Sequence, residues 1–223
     1  MRISCSIHGS CISIVLLACQ ACLGQSVSLG VKAGGRLMDD ISTSHNSATS
    51  ESKRYIFGPM VEFGLPLGLS LEADALYQRQ GYRSTPGTML GAAFERAHAN
   101  AWEVPVLLKY KPGKSSIKPY IEAGVSPRLM NGVSDDVSGY TMDSVTGATI
   151  YVHSHGTTDW SNSVGAVFGG GVQFSLGSLR LAPELRYTRW NNMAKNDFGS
   201  YGYEFHSTQN QVDLLLGISW KVR

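Results

Sequence analysis

Every histidine beyond residue 25 except His98 has a serine neighbour: His45 in "SHNS", His153 and His155 in "VHSHGTTDW", and His206 in "HS". A serine becomes a nucleophile when an imidazole takes its proton and a carboxylate orients that imidazole. His45 with Ser47, His206 with Ser207, and His153 and His155 with Asp159 are therefore the groups that hydrolytic or acyl-transfer chemistry would use. His153 and His155, two apart on an extended chain, also point the same way, and with Asp159 they form a set that a metal ion could take. All of these stand in stretches rich in Ser and Thr, where such neighbours arise from composition alone, and no fixed frame holds them. They read as solvated loop residues, so the expectation is no catalytic residue, no cofactor and no metal. "FGGGVQF", residues 168–174, lacks the Lys and the following helix of a phosphate loop. Its glycines read as relief of crowding in a strand, Gly169 and Gly171 on one face and Gly170 on the other.

The elements between these loops carry a different signal. Apolar residues recur at period two in eight runs, near residues 27–37, 55–64, 69–82, 101–110, 119–129, 164–174, 179–190 and 210–222, and no stretch sustains a 3.6 period. "LPLG", "KPGKSSIK" and "SLGS" join runs two to three, four to five and six to seven as hairpin turns. The other four connections are long and polar: "MDDISTSHNSATSESKR", Arg83 to about Asn100, Met130 to Asn162, and Asn191 to Gln209. Short turns at one end and long loops at the other are the asymmetry of a transmembrane barrel. Pro59, Pro105 and Pro183 fall inside strands, where a missing donor predicts local bulges.

One face of every run is free of charge. In the fourth it reads Trp102, Val104, Val106, Leu108, Tyr110, and in the eighth Val212, Leu214, Leu216, Ile218, Trp220. The opposite parity carries Lys32, Arg36, Glu62, Glu72, Asp74, Glu103, Lys109, Glu122, Arg128, Arg180, Glu184, Arg186, Asp213 and Lys221, equally acidic and basic. A soluble barrel would turn its apolar face inward and its charges to water. A membrane barrel turns the apolar face to lipid, and its inward charges must pair because an unpaired buried charge is costly. The balance favours the second arrangement, with Glu62, Glu72, Asp74, Glu103, Lys109, Glu122, Arg128, Glu184, Arg186 and Asp213 as the lumen network. Aromatics agree with it. Phe63, Tyr110, Phe174 and Trp220 close the strands at the short-turn side, and Tyr55, Tyr77, Trp102 and Tyr187 make a second ring at the long-loop side. Two such rings are expected where a sheet meets the two membrane interfaces. Arg79 and Arg189 stand two residues beyond Tyr77 and Tyr187, at head-group level.

Composition sets the remaining bounds. Charged residues are 16% of the 223, the net charge is +2, and the signs are mixed throughout, which excludes a nucleic-acid surface. Cys5, Cys11, Cys19 and Cys22 all lie in the first 22 residues with Arg2 and the apolar run "CISIVLLACQACLG", so residues 1–24 read as a cleaved secretory signal and 25–223 as the barrel. "LLAC" leaves open a lipoprotein signal with Cys19 acylated.

"WEVPVLLKY", "IKPYIEAG", "LRLAPELRYTRW" and "NQVDLLLGISW" resemble the bacterial outer-membrane β-barrel domain of the OmpA-like and OmpX-like, porin-family kind. That resemblance implies an all-β fold, an eight-stranded antiparallel up-and-down transmembrane barrel in the outer membrane of a Gram-negative-type cell envelope. It also implies insertion by the outer-membrane assembly machinery, which reads a last strand of alternating apolar residues ending in an aromatic. Leu214, Leu216, Ile218 and Trp220 match that signal, although Lys221, Val222 and Arg223 follow it. No peptidoglycan-binding domain follows the eighth run, so a cell-wall tether is not implied. Eight strands leave room for side chains alone, so the expected role is structural or surface-interacting, carried by the long loops. Met130 to Asn162, with Tyr140, Tyr151 and Trp160, is suited to an extracellular glycan or protein. A narrow pore for small solutes is the alternative and a lipid-modifying barrel enzyme the third reading.

Overall fold

The computed structural model describes residues 26–222 apart from 39–40, 44–47, 86, 89–90, 114, 144, 159–161, 192–194 and 198–203. Eight antiparallel strands close on themselves: β1 (Val27–Arg36), β2 (Tyr55–Gly64), β3 (Leu69–Asp74 continued by Leu76–Ser84), β4 (Gly91–Glu103 continued by Val106–Tyr110), β5 (Ile117–Met142), β6 (Asn162–Leu176), β7 (Leu179–Trp190) and β8 (Asn210–Lys221). Each pairs with its neighbours in sequence, and β1 pairs with β8 from Ser28↔Lys221 to Arg36↔Asp213, so the barrel has no open edge. The apolar parity faces outward: Val31, Ile121, Phe168 and Leu214 are all more than half exposed. The charged parity is buried, which excludes the soluble, apolar-lined arrangement.

Backbone chemistry explains the tight ends. The β6–β7 turn passes through Gly177 at φ 65°, and the β2–β3 turn through Leu67 at 63° and Gly68 at 78°. Gly tolerates that left-handed region without steric cost, whereas Leu67 occupies it as the sole non-glycine among the described residues. The prolines do not make the expected bulges. Registers are unbroken past each of them: Phe57↔Tyr77 and Met60↔Asp74 flank Pro59, Ala73↔Val106 and Leu76↔Glu103 flank Pro105, and Gly171↔Glu184 and Phe174↔Leu181 flank Pro183. Their carbonyls still accept, Pro59 from Ala75 N–H at 3.0 Å and Pro105 from Asp74 N–H at 3.1 Å. Each proline thus omits one donor while the ladder keeps step.

The irregularity lies in β5 instead. Asn131 faces Asn100 but Ser134 faces His98, so β5 gains one residue against β4. One extra residue inverts which side chains point outward: Leu129 below, Ser134 and Asp136 above. Two connections expected as loops are also largely strand. Most of Arg83 to Asn100 belongs to β3 and β4, and Met130 to Asn162 contains the upper half of β5 paired with a further strand, Thr149–Thr158, from Val133↔Thr158 to Met142↔Thr149. At roughly 3.3 Å per residue the 26 residues of β5 run to about 85 Å, whereas a membrane strand needs about ten residues. In these extensions many outward residues are polar or charged, such as Arg83, Arg96, Asn100 and Asp136, so the apolar alternation that marks a membrane strand in sequence is absent there. A small sheet of Ile41–Thr43, Lys195–Asp197 and Glu204–Ser207 joins two of the other loops.

Candidate functional site

β1 sends one side chain into each level of the lumen, since Ser28, Lys32 and Arg36 share a parity and lie four residues apart. At the short-turn level Lys111 Nζ donates to both oxygens of Glu62 at 2.6 Å and to Gln173 Oε1 at 2.8 Å. Arg180 donates to Ser28 Oγ at 2.8 Å and lies 3.5 Å from Glu62.

The middle level is the densest. Lys32 Nζ lies 2.6 Å from Glu72, 2.9 Å from Glu184 and 3.3 Å from Asp74. Lys109 Nζ lies 2.7 Å from Glu72, 3.1 Å from Glu122 and 3.3 Å from Glu184, 4.5 Å above the Tyr120 ring. Arg186 reaches Glu184 at 2.7 Å, Asp74 at 3.1 Å and Glu122 at 3.3 Å, and Tyr120 Oη donates to Glu184 at 2.8 Å. Glycine makes the room: a Cβ on Gly169 would come 2.6 Å from Glu122 Oε1, and one on Gly171 2.8 Å from Tyr120 Oη.

At the long-loop level Glu103 accepts from Arg36 at 2.9 Å and from Arg128 at 2.8 Å, while Arg36 also donates to Asp213 at 3.0 Å. The Arg128 guanidinium stacks 3.6 Å from the Trp190 ring, whose N–H donates to Gln211 at 2.9 Å. Between levels Ile56, Leu76 and Leu215 form an apolar cluster. Charges at such separations in a low-dielectric interior are tolerated only when each is matched.

Glu62, Glu72, Asp74, Glu103, Lys109, Glu122, Arg128, Glu184, Arg186 and Asp213 are all buried and all join these clusters. Lys221, placed on the lumen side by parity, is the last paired residue of β8, opposite Ser28, and is exposed at the barrel's rim. Lys111 stands in the lumen instead. The sequence hid it inside a turn, yet it shares the parity of Lys109, which was the available signal. Tyr120, Trp190, Gln173 and Gln211 were likewise missed because a search for charge passes over them.

Of the outward aromatics, Tyr55, Phe63, Trp102, Tyr110, Phe174 and Trp220 are exposed and Tyr77 and Tyr187 half-buried. Phe57, Tyr77 and Trp102 make a run of rings with centroids 5.6 and 5.3 Å apart. Tyr77 and Tyr187 donate to Asn100 and Asn210, each at 2.7 Å.

Of the histidine sets, only the His153 and His155 side chains are described. His45, Ser47, Asp159 and Trp160 lie outside the described residues, as do residues 1–25 and the side chains of His206 and Ser207. His155 Nδ1 donates to Asp136 at 2.6 Å, on the solvent-exposed face of the β5 hairpin. That hydrogen bond holds the Asp136 carboxyl below its usual value. The pairing was invisible in sequence because the extra residue in β5 brings Asp136 to that face. Among the described residues no serine hydroxyl hydrogen-bonds a histidine. Glu72, Glu122 and Glu184 bring three carboxylate oxygens within 4.8 Å of one another, an oxygen set of the kind hard cations take. The Lys109 ammonium already lies against all three.

A closed antiparallel barrel with an apolar exterior and an ion-paired interior is the architecture of an outer-membrane protein. The sequence agrees: residues 23–189 match the outer membrane protein beta-barrel domain family, and the chain belongs to it. Membership carries location in the outer membrane of a Gram-negative-type envelope. No curated protein matches the chain in sequence. Among solved structures it is similar to the outer membrane protein OprG from Pseudomonas aeruginosa, with 12% identity, TM-score 0.54, and 89% of this chain and 95% of that one covered. It is also similar to a major outer membrane protein from Thermus thermophilus (13%, TM-score 0.48, 89% and 99% covered) and to Neisserial surface protein A (15%, TM-score 0.46, 89% and 99% covered).

Proposed function

We propose that this chain is a closed, non-catalytic outer-membrane barrel whose role is surface interaction, carried by the wall and hairpin that rise above the bilayer. The observation that carries the reading is the contrast between the two halves of the molecule. The lumen is crossed at three levels by paired charges, from Arg36–Glu103–Arg128 through Lys32, Lys109 and Arg186 with their carboxylates to Lys111–Glu62. The upper half of β5, paired with Thr149–Thr158 on one side and with Gly91–His98 of β4 on the other, instead projects an arm with Tyr140, Ile150, Tyr151 and Val152 exposed. Rigid scaffolds that hold variable surface segments are where binding concentrates, and tyrosines among Ser, Thr and Gly suit contact with glycans or proteins.

Two measurements test this. Planar-bilayer recording on the refolded protein should show no discrete conductance steps, and regular ion-selective steps would establish the pore reading in its place. Cells displaying the chain should adhere to glycan- or matrix-protein-coated surfaces. Adhesion should be lost when residues 137–154 are replaced by a short Gly-Ser turn, while the unheated protein still migrates as a compact band. Adhesion unchanged by the replacement would remove the arm from the function.

A further inference from the structure

The outer wall of β2, β3 and β4 changes from apolar to cationic within two residues. Directly above the Phe57, Tyr77 and Trp102 rings the outward pairs are Arg79 opposite Asn100, Gly81 opposite His98, and Arg83 opposite Arg96. Beside them residues 51–53 run along β3, tied by Glu51 N–H to the Gly81 carbonyl at 2.8 Å and Lys53 N–H to the Arg79 carbonyl at 2.9 Å. Together they enclose a cleft of about 640 Å³ lined by Lys53, Arg79, Arg96, His98 and Asp136 among others. Gly81 lies in a tight place between β4 and residue 51, where a Cβ would come 3.1 Å from the Ala97 carbonyl and 3.8 Å from the Glu51 carbonyl.

Charge in this region is unbalanced, with Lys53, Arg79, Arg83 and Arg96 against Glu51 and Asp136. The Glu51 carboxylate anchors two arginines at once, Arg83 through Nε at 3.1 Å and Arg96 through Nε at 2.8 Å. Both guanidiniums remain more than half exposed and keep their terminal nitrogens as donors. No described carboxylate pairs with Arg79 or Lys53. An excess of fixed arginine beside unpaired cations is chemistry for phosphate, which a guanidinium meets with two parallel hydrogen bonds.

We propose that this cleft binds the phosphate of an outer-leaflet glycolipid, with the acyl chains lying along Phe57, Tyr77 and Trp102. The height fits: Arg79 stands two residues, about 7 Å, above Tyr77, where head groups begin above an aromatic belt. The volume suits a phosphorylated sugar. A soluble anion would use the cations but gain nothing from the rings below them, so the amphiphile uses more of what the surface offers. The site shares no residue with the hairpin segment 137–154, so the two proposals fail separately.

The test is native mass spectrometry of the full barrel in phosphatidylcholine nanodiscs, titrated with bis-phosphorylated lipid A or with the same lipid dephosphorylated. Glucosamine 1-phosphate is added in a third arm. The phosphorylated lipid should bind at least about tenfold more tightly, the worth of roughly one charge-assisted hydrogen bond. Arg79→Gln with Arg96→Gln should erase that preference, Lys53→Gln alone should reduce it, and Lys221→Gln at the opposite rim should leave it intact. Each variant is checked for compact unheated migration. Lys53→Gln removes no ion pair, so it keeps the test decisive if the double variant misfolds. Equal binding of the two lipids, or a preference that survives Lys53→Gln and the folded double variant, overturns the proposal. So does competition by glucosamine 1-phosphate at concentrations equal to the lipid, which would make this a soluble-anion site.

Discussion

Replacing Lys109 with Met tests whether the middle of the lumen is held by matched charge or by packing alone. The side chain is almost fully buried, and its ammonium contacts Glu72, Glu122 and Glu184 at 2.7, 3.1 and 3.3 Å. The surrounding set is four carboxylates (Glu72, Asp74, Glu122, Glu184) and three cations (Lys32, Lys109, Arg186). Its formal charge of −1 becomes −2 in Lys109→Met. Methionine is close in volume, so little cavity forms, and the loss is chiefly electrostatic. Breaking a buried pair by removing one partner costs about 3–5 kcal/mol, or roughly two to four orders of magnitude in the folding equilibrium. Urea titration of the protein refolded into lipid vesicles, followed by unheated gel mobility, reads that change as a lower unfolding midpoint. Adding Glu122→Gln returns the set to −1, with Lys32 and Arg186 facing Glu72, Asp74 and Glu184, and should restore at least half of the loss. A single variant as stable as the parent, or a double variant weaker than the single, would refute the claim that charge matching holds this level together.

Three further outcomes follow from the same geometry. Gly169→Ala should destabilise the barrel by about 1–3 kcal/mol in the urea assay, because the new Cβ meets Glu122 Oε1 at 2.6 Å and the Leu185 carbonyl at 2.9 Å; an unchanged midpoint would show that β6 can yield there. His155→Ala should raise the Asp136 carboxyl toward its ordinary value, read by carbon-detected NMR titration. A depressed folded value means the His155–Asp136 contact contributes above the ordinary carboxylate value and is lost as pH falls through the folded one, so acidification should loosen the hairpin in the parent and change it less in the variant. Asp143→Ala should fray the tip of the same hairpin, since its Oδ1 accepts from Val145 N–H at 2.8 Å and Thr146 N–H at 3.2 Å, and faster amide exchange at those two residues is the measurement.

The membrane-embedded half of the fold was legible because lipid and lumen impose opposite chemistry on alternate residues, and Lys32, Glu72, Glu122 and Arg186 could be separated from Val31, Leu71, Ile121 and Leu185 by parity alone. Where that contrast ends, legibility ends with it. Residues 91–100, 130–142 and 149–158 form strands, but their outward face meets water and not lipid, so the contrast of apolar with charged residues is lost and they read as loops. Lys221 and Lys111 exchanged places because parity states a face but not a height, and the last rung of a ladder leaves its charge exposed at the rim. The prolines misled for a related reason. A missing donor predicts local trouble, yet one omitted bond in a closed ladder leaves the register of its neighbours to hold the chain in step.

The extra residue between Asn131 and Ser134 works as a phase joint. Below it, odd-numbered side chains of β5 answer to lipid, and above it even-numbered ones form the outward face of the arm. The two halves of a continuous strand are thereby released from a shared pattern, so changes that suit a partner above need not respect the alternation that the bilayer enforces below. Length is then constrained in kind rather than in amount. Even-numbered insertions at the joint would keep Asp136, Ser138 and Tyr140 outward, whereas a single added or removed residue would turn them in and present Val137 and the other face to the outside.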